Sequence, residues 1–301
     1  MSKTRQGAEA CRALPDPVTA LTFELPGEHE IPVHSHPEDQ LVYACRGVMT
    51  VRTQEGTWVV PPLRAVWIPA RVPHAVATSG AVSMRTLYLR AGLVRRLRGC
   101  RVVNVSPLLR ELILHACRLR ALTRRKRDQA HLVDAIVDQL DVVESTPLQL
   151  PSPADARAAR VAEILSADPG GQRSLEEICR AAGASRRTIE RLFRSETPMT
   201  LGEWRQQLRL LTSLRLLAAG KKITHVALES GYATASAFIA MFRRALGTTP
   251  RRYFDDRGPK DATLTPASPP GSRGRAPSSR RAPSPAPAPP RRAARRRARR
   301  A

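Results

Sequence analysis

Residues Ser174 to Phe254 carry the one feature that most restricts this chain: a pattern of cap, apolar face, glycine and second cap, written twice. In SLEEICRAAGASRRTIERLF, Ser174 and Glu177 have capping-box spacing, and Ile178 and Ala182 share one face of a short helix. Gly183 ends that helix, and Ser185 is placed to cap the next. There Ile189, Leu192 and Phe193 fall inward, while Arg186, Arg187, Glu190, Arg191 and Arg194 fall outward. Two short helices around a glycine turn, the second of them basic, describe a helix-turn-helix whose second helix enters a major groove.

The second copy, ITHVALESGYATASAFIAMF, has one extra turn residue. Gly231 answers Gly183, Thr234 answers Ser185, Phe238 answers Ile189 and Phe242 answers Phe193. Chance periodicity does not preserve cap, glycine and core positions together, so the repeat reads as an internal duplication. Between the copies, Thr200 with Glu203 offers another capping box, and Trp204, Leu208, Leu211 and Leu214 keep helical spacing up to Gly220. A helix of about 20 residues spans about 30 Å, close to the about 34 Å between successive major-groove faces on one side of DNA. The competing reading is a generic bundle with a solvated basic face, which does not require two glycine turns in register.

These residues resemble the DNA-binding domain of the AraC/XylS family of transcriptional regulators from about Ala154 to Phe254. The closing segment SGYATASAFIAMFRRALGTTPRRYF is similar to that family's signature at Gly231, Tyr232, Phe238, Phe242, Gly247, Pro250 and Tyr253. The resemblance implies a double helix-turn-helix reader of double-stranded DNA over residues 154–254, with RNA polymerase as a further partner for an activator. Matching the copies supplies the contact candidates: Ser185, Arg186, Arg187, Glu190, Arg191 and Arg194 from the first unit, and Thr234, Ala235, Ser236, Ile239, Ala240, Arg243 and Arg244 from the second.

A chain of 301 residues accommodates two cored domains. The five cysteines (Cys11, Cys45, Cys100, Cys117, Cys179) are odd in number and lack framework spacing, which points to a reducing compartment. With no signal-peptide pattern and no apolar run of membrane-spanning length, the expectation is a cytoplasmic protein without a membrane partner. The net charge of +24 is shared between body and tail, since residues 257–301 hold thirteen Lys and Arg against one Asp. That Pro-, Ala-, Ser- and Arg-rich tail, residues 255–301, reads as disordered, either a salt-sensitive hold on phosphates or an incidental extension.

Residues 15–100 carry short runs (LVYAC, VMTVRT, TWVV, VWIP) bounded by Gly or Pro, the spacing of an antiparallel barrel or sandwich. His34 and His36 alternate onto one face of a strand, and His74 follows later. This resembles the cupin barrel, where a His-x-His pair, an acidic residue and a third His converge on a metal. The chain departs from that pattern: Gln40 stands for the acidic ligand, Arg71 for a turn glycine, and Thr78 for a final asparagine. Three neutral imidazoles can still hold a divalent metal. Three readings stay open: His34, His36, Gln40 and His74 as a pocket for a small effector, the three histidines as metal ligands, or all as structural residues. Regulators of the AraC/XylS type commonly carry such a barrel for sensing and dimerising, so the resemblance favours the effector pocket. The segment 101–150 is a helical connector whose stripes are Leu109, Leu112, Ile113, Ala116 and then Leu132, Ile136, Leu140. Those helices could close the barrel, pack as a hairpin, or pair two chains into a homodimer, and ESTPLQLPSPAD after them reads as a linker. The expected architecture is therefore multidomain: an all-β cupin-like barrel, a helical connector, an all-α double helix-turn-helix and a basic tail. The expected function is an effector-controlled transcriptional regulator, with a metal-dependent enzyme recruited to DNA as its rival.

Overall fold

The computed structural model describes residues 16–255 apart from 144 and 147, so the basic tail and Cys11 lie outside the described residues. Six strands come first: β1 (Val18–Leu25), β2 (Glu30–His34), β3 (Asp39–Thr53), β4 (Gly56–Val60), β5 (Arg64–Ile68) and β6 (His74–Leu89). After β7 (Arg101–Asn104) come α1 (Pro107–Leu119), β8 (Ala121–Leu122), α2 (Arg127–Asp141), β9 (Ser145–Thr146) and β10 (Gln149–Pro151). The rest is helical: α3 (Ala156–Ala167), α4 (Leu175–Ala181), α5 (Arg186–Glu196), α6 (Leu201–Ala218), α7 (Ile223–Glu229), α8 (Ala235–Leu246) and α9 (Pro250–Asp255). Among the described residues no helix is long and apolar enough to cross a membrane.

The strands do not close into the cupin-like barrel expected from the sequence. The hydrogen-bonded path runs β8-β1-β6-β3-β5-β7-β9, with β2 pairing β6, β4 pairing β3, and β10 pairing β4. Closure requires the last strand to pair with the first. Here the path ends in two-residue strands at opposite edges. The long partners β3 and β6 instead change register between Ala44, Arg46 and Val48, where Gly47 adopts φ 81°. A Cβ at Gly47 would meet the Ala81 carbonyl at 2.4 Å, so only glycine lets the strands approach this closely at the bend.

Sheet burial explains why the pattern misled. Leu41, Tyr43, Ala65, Trp67, Leu87 and Leu89 form one core with Leu109, Ile113, Ile136 and Leu140 of α1 and α2. Their neighbours Val42, Ala44, Val66, Ile68 and Met84 belong to a second core with Trp58, Val51 and Val76. A sheet buried on both faces writes continuous apolar runs such as LVYAC, which carry no interior-exterior alternation to count. The connector helices thus cover a sheet face, and β7 joins the sheet beside β5. The expected linker contains β10, paired in register with Gly56, Thr57 and Trp58 of β4.

The second core continues into the helical region through α6. Trp204 donates its indole N–H to the Pro151 carbonyl at 2.8 Å, and the Gln207 amide reaches the Gln149 carbonyl at 3.3 Å. At the far end of α6, a Cβ on Gly80 would come within 3.0 Å of the Ala218 carbonyl. The helix between the two expected readers therefore rests along its length on the strand domain.

Candidate functional site

The first helix-turn-helix forms as its caps dictate. Ser174 and Glu177 complete a capping box on α4, Gly183 takes φ 76°, and the Ser185 hydroxyl accepts from the Thr188 amide at 3.2 Å. Ile189, Leu192 and Phe193 of α5 are buried, and Phe193 meets the Trp204 ring edge-on at 5.7 Å. Of the outward residues, Arg186 bonds Glu176 of α4 at 2.5 Å and Glu190 at 2.8 Å. Its two carboxylates, Glu176 first, raise the Arg186 guanidinium further above its ordinary range, while the same contact lowers Glu176. Arg187, Arg191 and Arg194 are exposed and make no hydrogen bond or ion pair among the described residues. The expected arginines and glutamate on α5 thus divide into a clasp of Arg186 with Glu190, two guanidiniums without a hydrogen bond or ion pair among the described residues, Arg187 and Arg191, and Arg194, whose charge acts on Glu203.

The second unit repeats the geometry. Gly231 takes φ 78°, Thr234 accepts from the Ala237 amide at 3.1 Å, and Phe238 and Phe242 are buried with centroids 5.8 Å apart. A Cβ at Gly231 would lie 2.7 Å from the Arg209 guanidinium, so that side chain, which sits over the Tyr232 ring at 6.0 Å and bonds the Pro169 carbonyl at 3.2 Å, would have to shift. Ser236, Ala240, Arg243 and Arg244 are exposed on α8, whereas Ala235 and Ile239 are half-buried. The other signature residues finish the packing: Gly247 caps α8 in the left-handed region, Pro250 opens α9, and Tyr253 stacks edge-on against Phe242 at 5.7 Å.

In the strand domain, His34 ends β2 directly opposite His74, the first residue of β6. His36 lies beyond the strand, not on it, yet the three rings converge, with centroid separations of 6.1, 4.3 and 5.2 Å. Each Nδ1 donates to a carbonyl: His34 to Pro32 at 2.9 Å, His36 to Glu38 at 2.8 Å, His74 to Val72 at 2.9 Å. A carbonyl can only accept, so each neutral ring keeps its lone pair on Nε2. The His36 Nε2 lies 3.1 Å from the Gln40 amide, which also bonds the Thr86 hydroxyl at 3.0 Å. That amide satisfies both neighbours with its nitrogen toward His36 and its oxygen toward Thr86. His74 is 1% exposed and its Nε2 has no hydrogen-bond partner among the described residues. Burial lowers its pKa to about 4, keeping the ring neutral. Arg71 adopts φ 64°, the conformation a turn glycine would take, and its amide donates to the His36 carbonyl at 2.8 Å. Thr78 is buried, and its hydroxyl donates to the Gly27 carbonyl at 2.9 Å and accepts from the His29 amide at 2.8 Å.

Sequence reasoning did not separate Arg186 from Arg187, and it missed α3. The signal for α3 was present: Asp155 caps it, accepting from the Arg157 amide at 2.9 Å, and Ala158, Val161 and Leu165 keep helical spacing.

The family described as an AraC-like ligand binding domain matches residues 21–202, and a helix-turn-helix domain matches residues 178–256. The HTH-type transcriptional regulator NimR of Escherichia coli (strain K12) is 32% identical over 222 residues, covering 74% of this chain and 81% of NimR. The HTH-type transcriptional regulator RipA of Corynebacterium glutamicum is 38% identical over 103 residues, 34% of this chain and 31% of RipA. A solved AraC-type transcriptional regulator from Chromobacterium violaceum covers 34% of this chain and 91% of its own, at 25% identity and a TM-score of 0.32. NimR and RipA are both HTH-type transcriptional regulators. With more than half its length matched by the ligand-binding family and its helical region by the helix-turn-helix family, the chain belongs to the AraC/XylS family of DNA-binding transcriptional regulators.

Proposed function

We propose that α5 and α8 enter successive major-groove segments of an operator, and that a small effector taken up beside His34, His36, Gln40 and His74 controls that binding. The observation that carries the reading is the pair of exposed guanidiniums of Arg187 and Arg191, about one turn apart on α5 and without a hydrogen bond or ion pair among the described residues. An arginine free of protein partners can bind guanine O6 and N7 in bidentate fashion. Ser185 and Thr234, whose hydroxyls are used in capping, aim the first amides of their helices at phosphate. Arg194, Arg243 and Arg244 lie further along and suit backbone contact, while Ala235, Ser236, Ile239 and Ala240 read by shape and thymine methyls. Residues 15–100 with the helices of 101–150 then form the sensing and pairing part, and residues 154–254 the reader.

A homodimer is favoured by α1, whose Leu108 is 57% and Leu119 39% exposed, on a stripe with half-buried Leu112. An activator would also meet RNA polymerase. Footprinting the DNA upstream of the protein's own gene, with and without cell metabolites, tests the proposal. Protection of two half-sites one helical turn apart, altered by the metabolites, is the expected result, and a single sequence-indifferent footprint would refute it.

A further inference from the structure

We propose that His34, His36 and His74 bind one divalent late first-row metal ion of the Zn²⁺, Co²⁺ or Ni²⁺ class. The inference rests on the effector reading above and names the chemistry of the same pocket. One nitrogen from each ring lies within 4.8 Å of the other two. The Nδ1 atoms are already committed to the carbonyls of Pro32, Glu38 and Val72, so an ion would take the lone pairs of Nε2, replacing at His36 the hydrogen bond from the Gln40 amide. A ligand imidazole that donates its other N–H to a carbonyl is the usual outer arrangement of a metal site, because that bond fixes tautomer and ring direction. All three rings have it here.

A second, independent observation is the His74 Nε2: it is buried, unpartnered and belongs to a residue 1% exposed. A buried lone pair left without a partner is destabilising unless something occupies it, and the nearest ring to His74 is another imidazole, His34, at 4.3 Å. Two nitrogens on one Zn²⁺ at about 2.0–2.1 Å sit about 3.3 Å apart, so ligand nitrogens that lie within 4.8 Å of one another must close by up to about 1.5 Å. His34 is half-buried at a strand end and can supply that movement. Gln40 bonds the His36 Nε2 itself, so its amide must release that nitrogen as the ion binds, while its bond to Thr86 can remain. Three neutral ligands leave the ion its full charge and at least one open position, suited to an oxygen donor on an anionic effector.

The test uses the full chain, stripped with chelator and titrated with Zn²⁺ and, in parallel, Co²⁺. Calorimetry and elemental analysis read the stoichiometry, and the Co²⁺ visible spectrum reads the ligand field. One ion per chain is expected, with His34→Ala and His74→Gln each weakening it by at least the about 100-fold that loss of an outer partner can already cost. His34→Ala alters a half-exposed ring and should leave the melting temperature of the stripped protein unchanged, which separates lost ligation from misfolding. His115→Ala and His131→Ala, outside the cluster, should not affect binding. Absence of a stoichiometric ion, or an ion retained by both cluster variants, overturns the inference. Operator affinity, measured alongside, separates the two proposals: an ion that binds at the cluster without changing operator affinity upholds the metal site and refutes effector control through it. A metabolite that shifts operator affinity while no ion binds leaves the effector reading standing and removes the metal.

Discussion

Arg186 and Arg187 are adjacent in the chain and differ in what remains of them for DNA. Arg186 is clasped by Glu176 and Glu190, whereas Arg187 and Arg191 make no hydrogen bond or ion pair among the described residues. Arg187→Ala and Arg191→Ala should each lower the preference for operator over scrambled DNA by about tenfold to a hundredfold, the size of one lost bidentate contact. Arg186→Ala should change that preference much less and act on the α4–α5 packing. Competition binding at matched salt decides it, and equal losses on both DNAs for Arg187 and Arg191 would reassign them to phosphate. The cysteines follow the same residue-level logic. Burial pushes the Cys100 thiol up to about 12 and raises Cys117 and Cys179. Thiolate is the reactive form, so these three should resist alkylation in the native protein and react only on unfolding, as peptide mass spectrometry of maleimide-treated samples would read.

At the scale of elements, the two turn glycines serve unequal purposes. Both are left-handed, which costs a residue with Cβ about 1–2 kcal/mol, but a Cβ on Gly183 meets open space and one on Gly231 meets Arg209. Gly231→Ala should therefore depress the melting temperature more than Gly183→Ala, and the reverse order would contradict the packing described for the second turn. The two recognition helices also differ in chemistry. Because α8 offers one short hydroxyl and apolar side chains where α5 offers guanidiniums, the half-site under α8 should tolerate more base substitutions. Systematic substitution across both half-sites measures this. A second half-site as strict as the first would contradict the assignment, and complete indifference there would mean α8 only packs the domain.

For the whole molecule, α6 is the connecting element, since it joins the two helix-turn-helix units and rests on β10 through Trp204. Trp204→Phe keeps the aromatic packing on Phe193 but strands the Pro151 carbonyl, at a cost of about 1–2 kcal/mol in a denaturant melt. If operator binding also loses its response to metabolites in this variant, the strand domain communicates through α6. The basic tail is a separate electrostatic matter. Removing residues 257–301 removes thirteen cationic side chains, so log affinity should fall less steeply with log salt while the specificity ratio stays nearly unchanged. An unaltered slope would show that the tail does not touch DNA.

The duplicated reader was legible because its information is local. Caps, glycine turns and the 3.6-residue period are written within about 20 residues of one another, and the Ser174–Glu177 and Thr200–Glu203 boxes form as spaced. The histidine cluster was legible as a set, although its members were misplaced. The sequence by itself put His34 and His36 on one strand, whereas the structure ends the strand at His34 and brings His36 in from the loop. Only tertiary structure decided that the sheet stays open, that β10 completes it from within an expected linker, and that Arg186 pairs across to Glu176 of α4. Each depends on pairing between residues distant in the chain or in different elements, which no local period encodes. A sheet apolar on both faces looks the same in sequence whether its edges meet or are left apart.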